Sequence, residues 1–110
     1  MRISFRDEKL RKEYTTSSLL QKRHGLVRAK RIRQRLEDLA SAETLEDMRS
    51  LPGRCHELHG SDAGSLSLDL DHPYRMIFSP SADQPCKEDG GVDWLTVKGI
   101  EIIGIRDTHE

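Results

Sequence analysis

The segment 54–78 constrains the fold more than any other part of the sequence, because its polar and apolar residues follow the pattern of short strands. Three apolar residues alternate with polar ones there: Leu66, Leu68 and Leu70. Such alternation is the period of a strand with one buried face. In the run 74–78, every residue is apolar or aromatic except Arg75. A cation in so apolar a strand is costly to bury unless it is paired or faces a polar site, so we expect Arg75 to have a function.

The rest of the sequence predicts helices before these strands and one more strand after them. Apolar residues at helical spacing, beginning with Leu26, predict a helix over 26–40, and a shorter helix is predicted from Asp7. The isoleucine-rich run 97–106 predicts a last strand with a bulge at 102–104. This order predicts an α+β fold, with N-terminal helices packed on one face of a small, mostly antiparallel twisted sheet.

The chain of 110 residues is predicted to form a single domain, 1–110. Residues 80–95 contain two prolines, two glycines and several acids. A stretch of this length without predicted structure is typical of an insertion at a hairpin tip or of a mobile loop.

Positive charge is concentrated at the start of the chain. Residues 1–35 hold twelve Lys or Arg and three Asp or Glu, a net +9, whereas residues 36–110 carry a net −10. This asymmetry indicates a basic surface for a polyanion or an acidic partner. Four arginines are the candidates for contacting the phosphates of such a polyanion: Arg23, Arg28, Arg31 and Arg35. An ordinary solvated helix face explains the same pattern and stays open as the alternative.

The sequence predicts neither a membrane span nor a metal site. No apolar run approaches membrane-spanning length and the charged start is unlike a signal peptide, so a cytoplasmic location is expected. Two cysteines are too few for a disulfide scaffold. Strand alternation places Cys55 and His59 on one face and His56 on the other, so these zinc-type ligands do not converge. No metal and no cofactor are therefore predicted.

Three polar sites lie where neighbouring strands are expected to bring them together: His59, Arg75, and Asp107 with His109. A histidine can exchange a proton near neutral pH, and an arginine can hold a phosphate and stabilise the charge that grows on it. These are the groups that a metal-free ribonuclease needs. For each of them a solvated surface residue, or a turn-closing role for Asp107, is the alternative.

The segment LHGSDAGSLSLDLDHPYRMIF (58–78), together with IEIIGIRDTH (100–109), resembles the RelE/HigB family of type II toxins, whose members are often called plasmid maintenance system killer proteins. The resemblance implies that the protein has a RelE-like fold and cleaves mRNA in the ribosomal A site. It also implies a cognate helix-turn-helix antitoxin, through which the toxin would bind operator DNA indirectly. His59, Arg75, Asp107 and His109 match the family's catalytic positions.

This sequence departs from the family pattern at two places. No lysine follows His59 in 60–62, and Thr108 stands where a tyrosine is common. These departures favour an alternative function, either a ParE-like inhibitor of DNA gyrase or a catalytically weak toxin that mainly binds its antitoxin. A DNA-binding regulator is the third alternative, although no helix-turn-helix spacing is visible.

Overall fold

A computed structural model describes residues 1–107, which fold into helices packed against a five-stranded sheet. The strands are β1 (Arg2–Phe5), β2 (His56–Glu57), β3 (Leu66–Asp69), β4 (Tyr74–Pro80) and β5 (Gly99–Asp107). Their order in the sheet is β1-β5-β4-β3-β2, and every neighbouring pair is antiparallel except β1 and β5. The predicted α+β class and the mostly antiparallel sheet are therefore confirmed.

Two helices precede the hairpins of the sheet. The first, α1 (Glu8–Thr15), begins where the Asp7 carboxylate accepts a hydrogen bond from the backbone N–H of Leu10 at 2.8 Å. The second, α2 (Ser17–Ser41), is interrupted at Gly25, whose φ of 80° lies outside the helical region. A 3-10 helix at Leu45–Ser50 and another at Gly60–Asp62 complete the helical structure of the described residues.

The core lies between α2 and the sheet. The alternating leucines of the sequence face it, with Leu66 and Leu68 fully buried and Leu70 6% exposed. From α2 the core receives Ala29, Ile32 and Leu39. The prediction for Leu26 is wrong, because this side chain is 66% exposed. It directly follows the break at Gly25, so helical spacing does not predict which way it points.

The bulge in β5 has its predicted position. Ile77 on β4 pairs with Gly104, but the next residue, Phe78, pairs with Ile102. Ile103 is therefore the extra residue on β5. The bulge lies in the long pairing with β4 that brings the end of β5 beside Arg75.

Residues 81–98 join β4 to β5, so the predicted location of the 80–95 loop at a hairpin tip is confirmed. Its later half packs against the body of the protein, since Val92, Trp94 and Val97 are all buried. The indole N–H of Trp94 donates to Oε1 of Glu57 at 2.6 Å. The mobility of the loop stays a prediction.

Candidate functional site

Arg75 lies on the face of the sheet that points away from the helices. At alternate positions of β4, Met76 and Phe78 are fully buried in the core. Tyr74 also lies on the helix side, because the guanidinium carbon of Arg28 in α2 is 3.5 Å from the centre of its ring. Since side chains alternate along a strand, Arg75 points to the opposite face, where its side chain is 30% exposed.

Five charged side chains cross this outer face, and we call them the charge row: Arg54, Asp69, Arg75, Arg106 and Asp62. The strand register places Arg75 opposite Asp69 of β3 and opposite Arg106 of β5. Nε of Arg54 donates to Oδ2 of Asp69 at 2.6 Å. Arg106 donates to both carboxylate oxygens of Asp62, at 3.0 and 3.3 Å. Charge therefore alternates along the row except where Arg75 and Arg106 are direct neighbours.

Asp69 is the carboxylate at the centre of the charge row. Its Oδ1 lies 3.3 Å from Nε of Arg75. Within residues 1–107 this buried oxygen accepts no hydrogen bond. The ion pair offsets part of the cost of placing Arg75 in an apolar strand, while the exposed part of the guanidinium remains able to bind an anion.

Arg54 belongs to this group although it precedes β2. Its φ is 49°, in the left-handed region that residues with a Cβ seldom adopt. The hydrogen bond to Asp69 and the charge of that carboxylate raise the pKa of Arg54. Sequence reasoning missed Arg54, because only the folded structure shows that its side chain reaches Asp69, the neighbour of Arg75.

Asp107 lies at the same end of the sheet as Arg75. It is the last residue of β5, follows Arg106 and pairs with Tyr74, the residue before Arg75. Arg75 and Asp107 are therefore neighbours in the sheet, but the pairing with Tyr74 places the Asp107 side chain on the helix side, opposite to the face of Arg75. His109 lies outside the described residues 1–107.

His59 lies on the segment that follows β2. It is exposed and lies just before the 3-10 helix Gly60–Asp62, beyond the end of β2. The backbone oxygen of His59 accepts a hydrogen bond from the N–H of Asp62 at 3.3 Å, and Asp62 is paired with Arg106 of the charge row. The meeting of His59 and Arg75 at one site stays a prediction.

His56 is the histidine of β2 that shares the outer face with Arg75. It pairs with Ser67, and Ser67 pairs with Ile77, two residues beyond Arg75. Nδ1 of His56 is 2.7 Å from the backbone oxygen of Arg54, so Nδ1 carries the proton and donates. Nε2 is 3.3 Å from Oγ of Ser67. The serine is fully buried, so this pair is structural and not a nucleophilic dyad.

The basic stripe predicted on the helix is mostly paired. Arg23 lies 3.3 Å from a carboxylate oxygen of Glu13, and Arg28 donates to both oxygens of Asp71 at 3.0 and 3.2 Å. Arg31 is exposed and forms no ion pair within the described part of the chain. These arginines remain candidates for RNA contact only where their ion pairs leave donors free.

The prediction that Arg35 faces a phosphate backbone is wrong. Its side chain is buried, with the residue 4% exposed, and Nε donates to the backbone oxygen of Asp69 at 2.8 Å. The guanidinium packs against Gly53, where an added Cβ would lie 2.8 Å from Nε. Arg35 therefore joins α2 to β3 instead of lying on the surface.

A shallow cavity of about 410 Å³ lies at the other end of β2. Its lining residues are Arg49, Cys55, His56, Glu57, His59 and Trp94. Burial raises the pKa of the Cys55 thiol to about 12, which disfavours the thiolate that metal binding requires. In residues 1–107 no three His, Cys, Asp or Glu side chains are placed to hold a metal ion.

A groove of about 440 Å³ lies between α1 and the first half of α2. Its lining residues are Lys9, Lys12, Glu13, Leu19, Lys22 and Arg23. Beyond it, Leu26 and Val27 are each 66% exposed. The groove thus combines apolar surface with positive charge. No helix of residues 1–107 is both long and apolar enough to cross a bilayer.

Comparison with known proteins gave no match, either to a protein-family model or to a curated protein. Membership of the RelE/HigB family therefore stays a prediction from residues 58–78 and 100–109.

Proposed function

We propose that this protein is the toxin of a type II toxin–antitoxin system and that it cleaves mRNA on the ribosome. The observation that carries the proposal is the position of Arg75. This partly exposed arginine lies on the open face of the sheet, in the strand next to Asp107, and His109 follows Asp107 by two residues. A cation, a carboxylate and an imidazole are the groups required to cleave a phosphodiester without a metal.

In the proposed reaction, a base removes the proton of a ribose 2′-hydroxyl, and the 2′-oxygen attacks the adjacent phosphorus. Arg75 stabilises the additional negative charge on the phosphorane. The bond from phosphorus to the 5′-oxygen then breaks, and an acid protonates that oxygen. A 2′,3′-cyclic phosphate and a 5′-hydroxyl are the products. The reaction uses side chains alone and no cofactor.

His109 is one proposed proton carrier, and Asp107 orients it or accepts a hydrogen bond from the ribose. His59 is the second proposed proton carrier. His56 is not proposed for this role, because its Nε2 lies 3.3 Å from Oγ of the fully buried Ser67.

The proposal is tested by inducing the protein and its Arg75→Ala and His109→Ala variants in growing cells. Induction of the unaltered protein is expected to stop growth, and both variants are expected to lose this effect because phosphorane stabilisation or proton transfer is removed. Arg2→Ala is the matched control, since Arg2 is also an exposed arginine paired with one aspartate. Growth arrest that persists in both variants would contradict the site assignment.

The proposal includes a cognate helix-turn-helix antitoxin, with indirect operator binding through it, and a cytoplasmic location where ribosomes and mRNA are present. The positively charged groove between α1 and α2 supports a protein partner, because Leu19 exposes apolar surface in it and Leu26 and Val27, further along α2, are also exposed. Exposed Arg31 supports an electrostatic contact with ribosomal RNA that weakens as salt rises.

A second candidate is a non-enzymatic toxin of the same fold, either a gyrase inhibitor or a protein that mainly binds its antitoxin. The pairing of Arg75 with Asp69 favours it. DNA breakage after induction without RNA cleavage would distinguish gyrase inhibition. Stable antitoxin binding with neither DNA breakage nor RNA cleavage would indicate a catalytically weak toxin.

A further inference from the structure

We propose that Arg54 and Arg75 together form an oxyanion cleft that binds one phosphodiester group of an RNA strand, with Asp69 holding both guanidinium groups in position. This inference rests on the proposed function and adds a second phosphate-binding residue to it. Arg54 has no role in the sequence-based prediction, and the structure alone places it beside Arg75.

The geometry of the two arginines leaves their terminal nitrogens available. Arg54 and Arg75 both contact the Asp69 carboxylate through Nε, at 2.6 and 3.3 Å. Among residues 1–107, no hydrogen bond is made by the Nη atoms of either arginine. Each guanidinium therefore keeps its Nη edge for a second acceptor, the edge that binds phosphate oxygens in pairs.

A small cavity of about 50 Å³ lies between these groups. Its lining residues are Arg54, Asp69, Leu70, His72, Pro73, Tyr74 and Arg75. The cavity has room for a small oxyanion beside both guanidinium groups. The charged partner expected there is one phosphate group.

The electrostatics of the charge row also favour an anion. Arg75 of β4 and Arg106 of β5 lie directly opposite each other in the strand register, and like charges in such positions destabilise a sheet. Asp69 and Asp62 supply two negative charges against the three arginines, so the row carries a net +1. A bound phosphodiester would neutralise this excess.

The backbone of Arg54 supplies an independent observation. Among the residues described, Arg54 is the one non-glycine residue with positive φ, at 49°. Glycine would adopt this conformation without strain, and strained positions of this kind cluster at ligand sites. The side chain is 69% exposed, so core packing does not account for an arginine here.

The test measures binding of a short single-stranded RNA whose 2′-hydroxyls carry methyl groups, so that it cannot be cleaved. Arg54→Gly removes the guanidinium without straining the backbone. It is expected to weaken RNA binding by about tenfold or more, as loss of a charged hydrogen bond does. Arg2→Ala is the matched control, with a side chain 71% exposed and paired to one aspartate, and we expect a change below about twofold.

Thermal unfolding of Arg54→Gly shows whether the fold is kept, and Arg54→Lys provides a second variant that keeps the charge but loses the paired Nη donors. Arg54→Lys is expected to bind less tightly than the unaltered protein and more tightly than Arg54→Gly. Equal RNA binding by Arg54→Gly and the unaltered protein would overturn the inference. A loss no larger than that of Arg2→Ala would do the same.

Inorganic phosphate is the second probe and distinguishes a strand from a free ion. Tighter binding of the RNA than of phosphate, with both dependent on Arg54, supports the inference, and binding of phosphate alone overturns it. RNA binding that needs Arg54 in a protein without nuclease activity would uphold the cleft and reject the proposed function. Nuclease activity that needs Arg75 but not Arg54 would uphold the function and reject the cleft.

Discussion

At the scale of single residues, two consecutive backbone positions shape the site. Gly53 has a φ of 110° and Arg54 a φ of 49°, so the chain turns sharply just before β2. This turn lets the backbone oxygen of Gly53 accept from the N–H of Asp69 at 2.7 Å while Arg54 reaches the carboxylate of the same residue. One aspartate is thereby fixed through its backbone and its side chain together.

Gly53→Ala is predicted to destabilise the protein by about 2 kcal/mol or more, because it combines a strained φ with a steric clash. The added Cβ would lie 2.8 Å from Nε of Arg35 and 3.0 Å from a methyl carbon of Leu68. Gly64→Ala is the matched control, since Gly64 also has positive φ but no atom within 4 Å of the added Cβ. Urea unfolding measures the stability of both variants. An equal loss of unfolding free energy in the two would show that the packing against Arg35 is unimportant.

At the scale of elements, the loop 81–98 is anchored where it passes the 3-10 helix Leu45–Ser50. Backbone N–H groups of Leu45 and Glu46 donate to the carbonyl oxygens of Val97 and Trp94. The guanidinium of Arg49 stacks 3.8 Å from the centre of the Trp94 ring. These contacts, with the Trp94–Glu57 hydrogen bond, hold the later half of a long polar segment against the core.

Trp94→Phe is predicted to cost about 1–3 kcal/mol of unfolding free energy, because the Glu57 carboxylate loses its indole donor while a ring remains to pack. Hydrogen exchange of the backbone amides in 92–97 is expected to accelerate. Leu95→Ala serves as the control, since Leu95 is 70% exposed. Unchanged exchange in Trp94→Phe would show that the loop is held by its backbone contacts alone.

The sequence predicted which helices and strands form better than it predicted which residues they bring together. The alternation of three leucines located the buried face of β3, and the two isoleucines before Gly104 located the bulge. Strand alternation also placed His56 and His59 on opposite faces of the sheet, but it could not show which of these faces carries Arg75. The face of Arg75 depends on the strand register and on where β2 ends, and both are set by turns such as Gly53-Arg54. The burial of Arg35 likewise depends on a glycine distant in sequence, which helical spacing does not reveal.

At the scale of the whole molecule, two weakly acidic groups are kept neutral by their surroundings: half-buried Cys55 and buried Tyr14. Burial raises the pKa of the Cys55 thiol from 9.0 to about 12. Burial, with the charge of Glu13, also raises the pKa of Tyr14 above its usual 10.0. The unfolded chain releases these protons at lower pH than the folded protein does, so rising pH favours unfolding.

The free energy of unfolding is therefore predicted to fall as pH rises from about 9, first through Cys55 and then, above about 10, also through Tyr14. Urea unfolding at a series of pH values measures this slope. Lysines titrate in the same range, so Cys55→Ala is compared at each pH. Its decline above about pH 9 should be shallower than that of the unaltered protein. Identical slopes in the two proteins would contradict the buried-thiol account.

The central claim is that Arg75, on the open face of the sheet, and His109, which follows β5, act together on one phosphodiester. Mapping of mRNA 5′ ends in a translating extract tests it most directly. The unaltered protein is predicted to produce new ends within codons that carry a 5′-hydroxyl, while Arg75→Ala and His109→Ala produce none and Arg2→Ala cuts normally. Absence of new ends with the unaltered protein, or the same ends with Arg75→Ala, would contradict the claim.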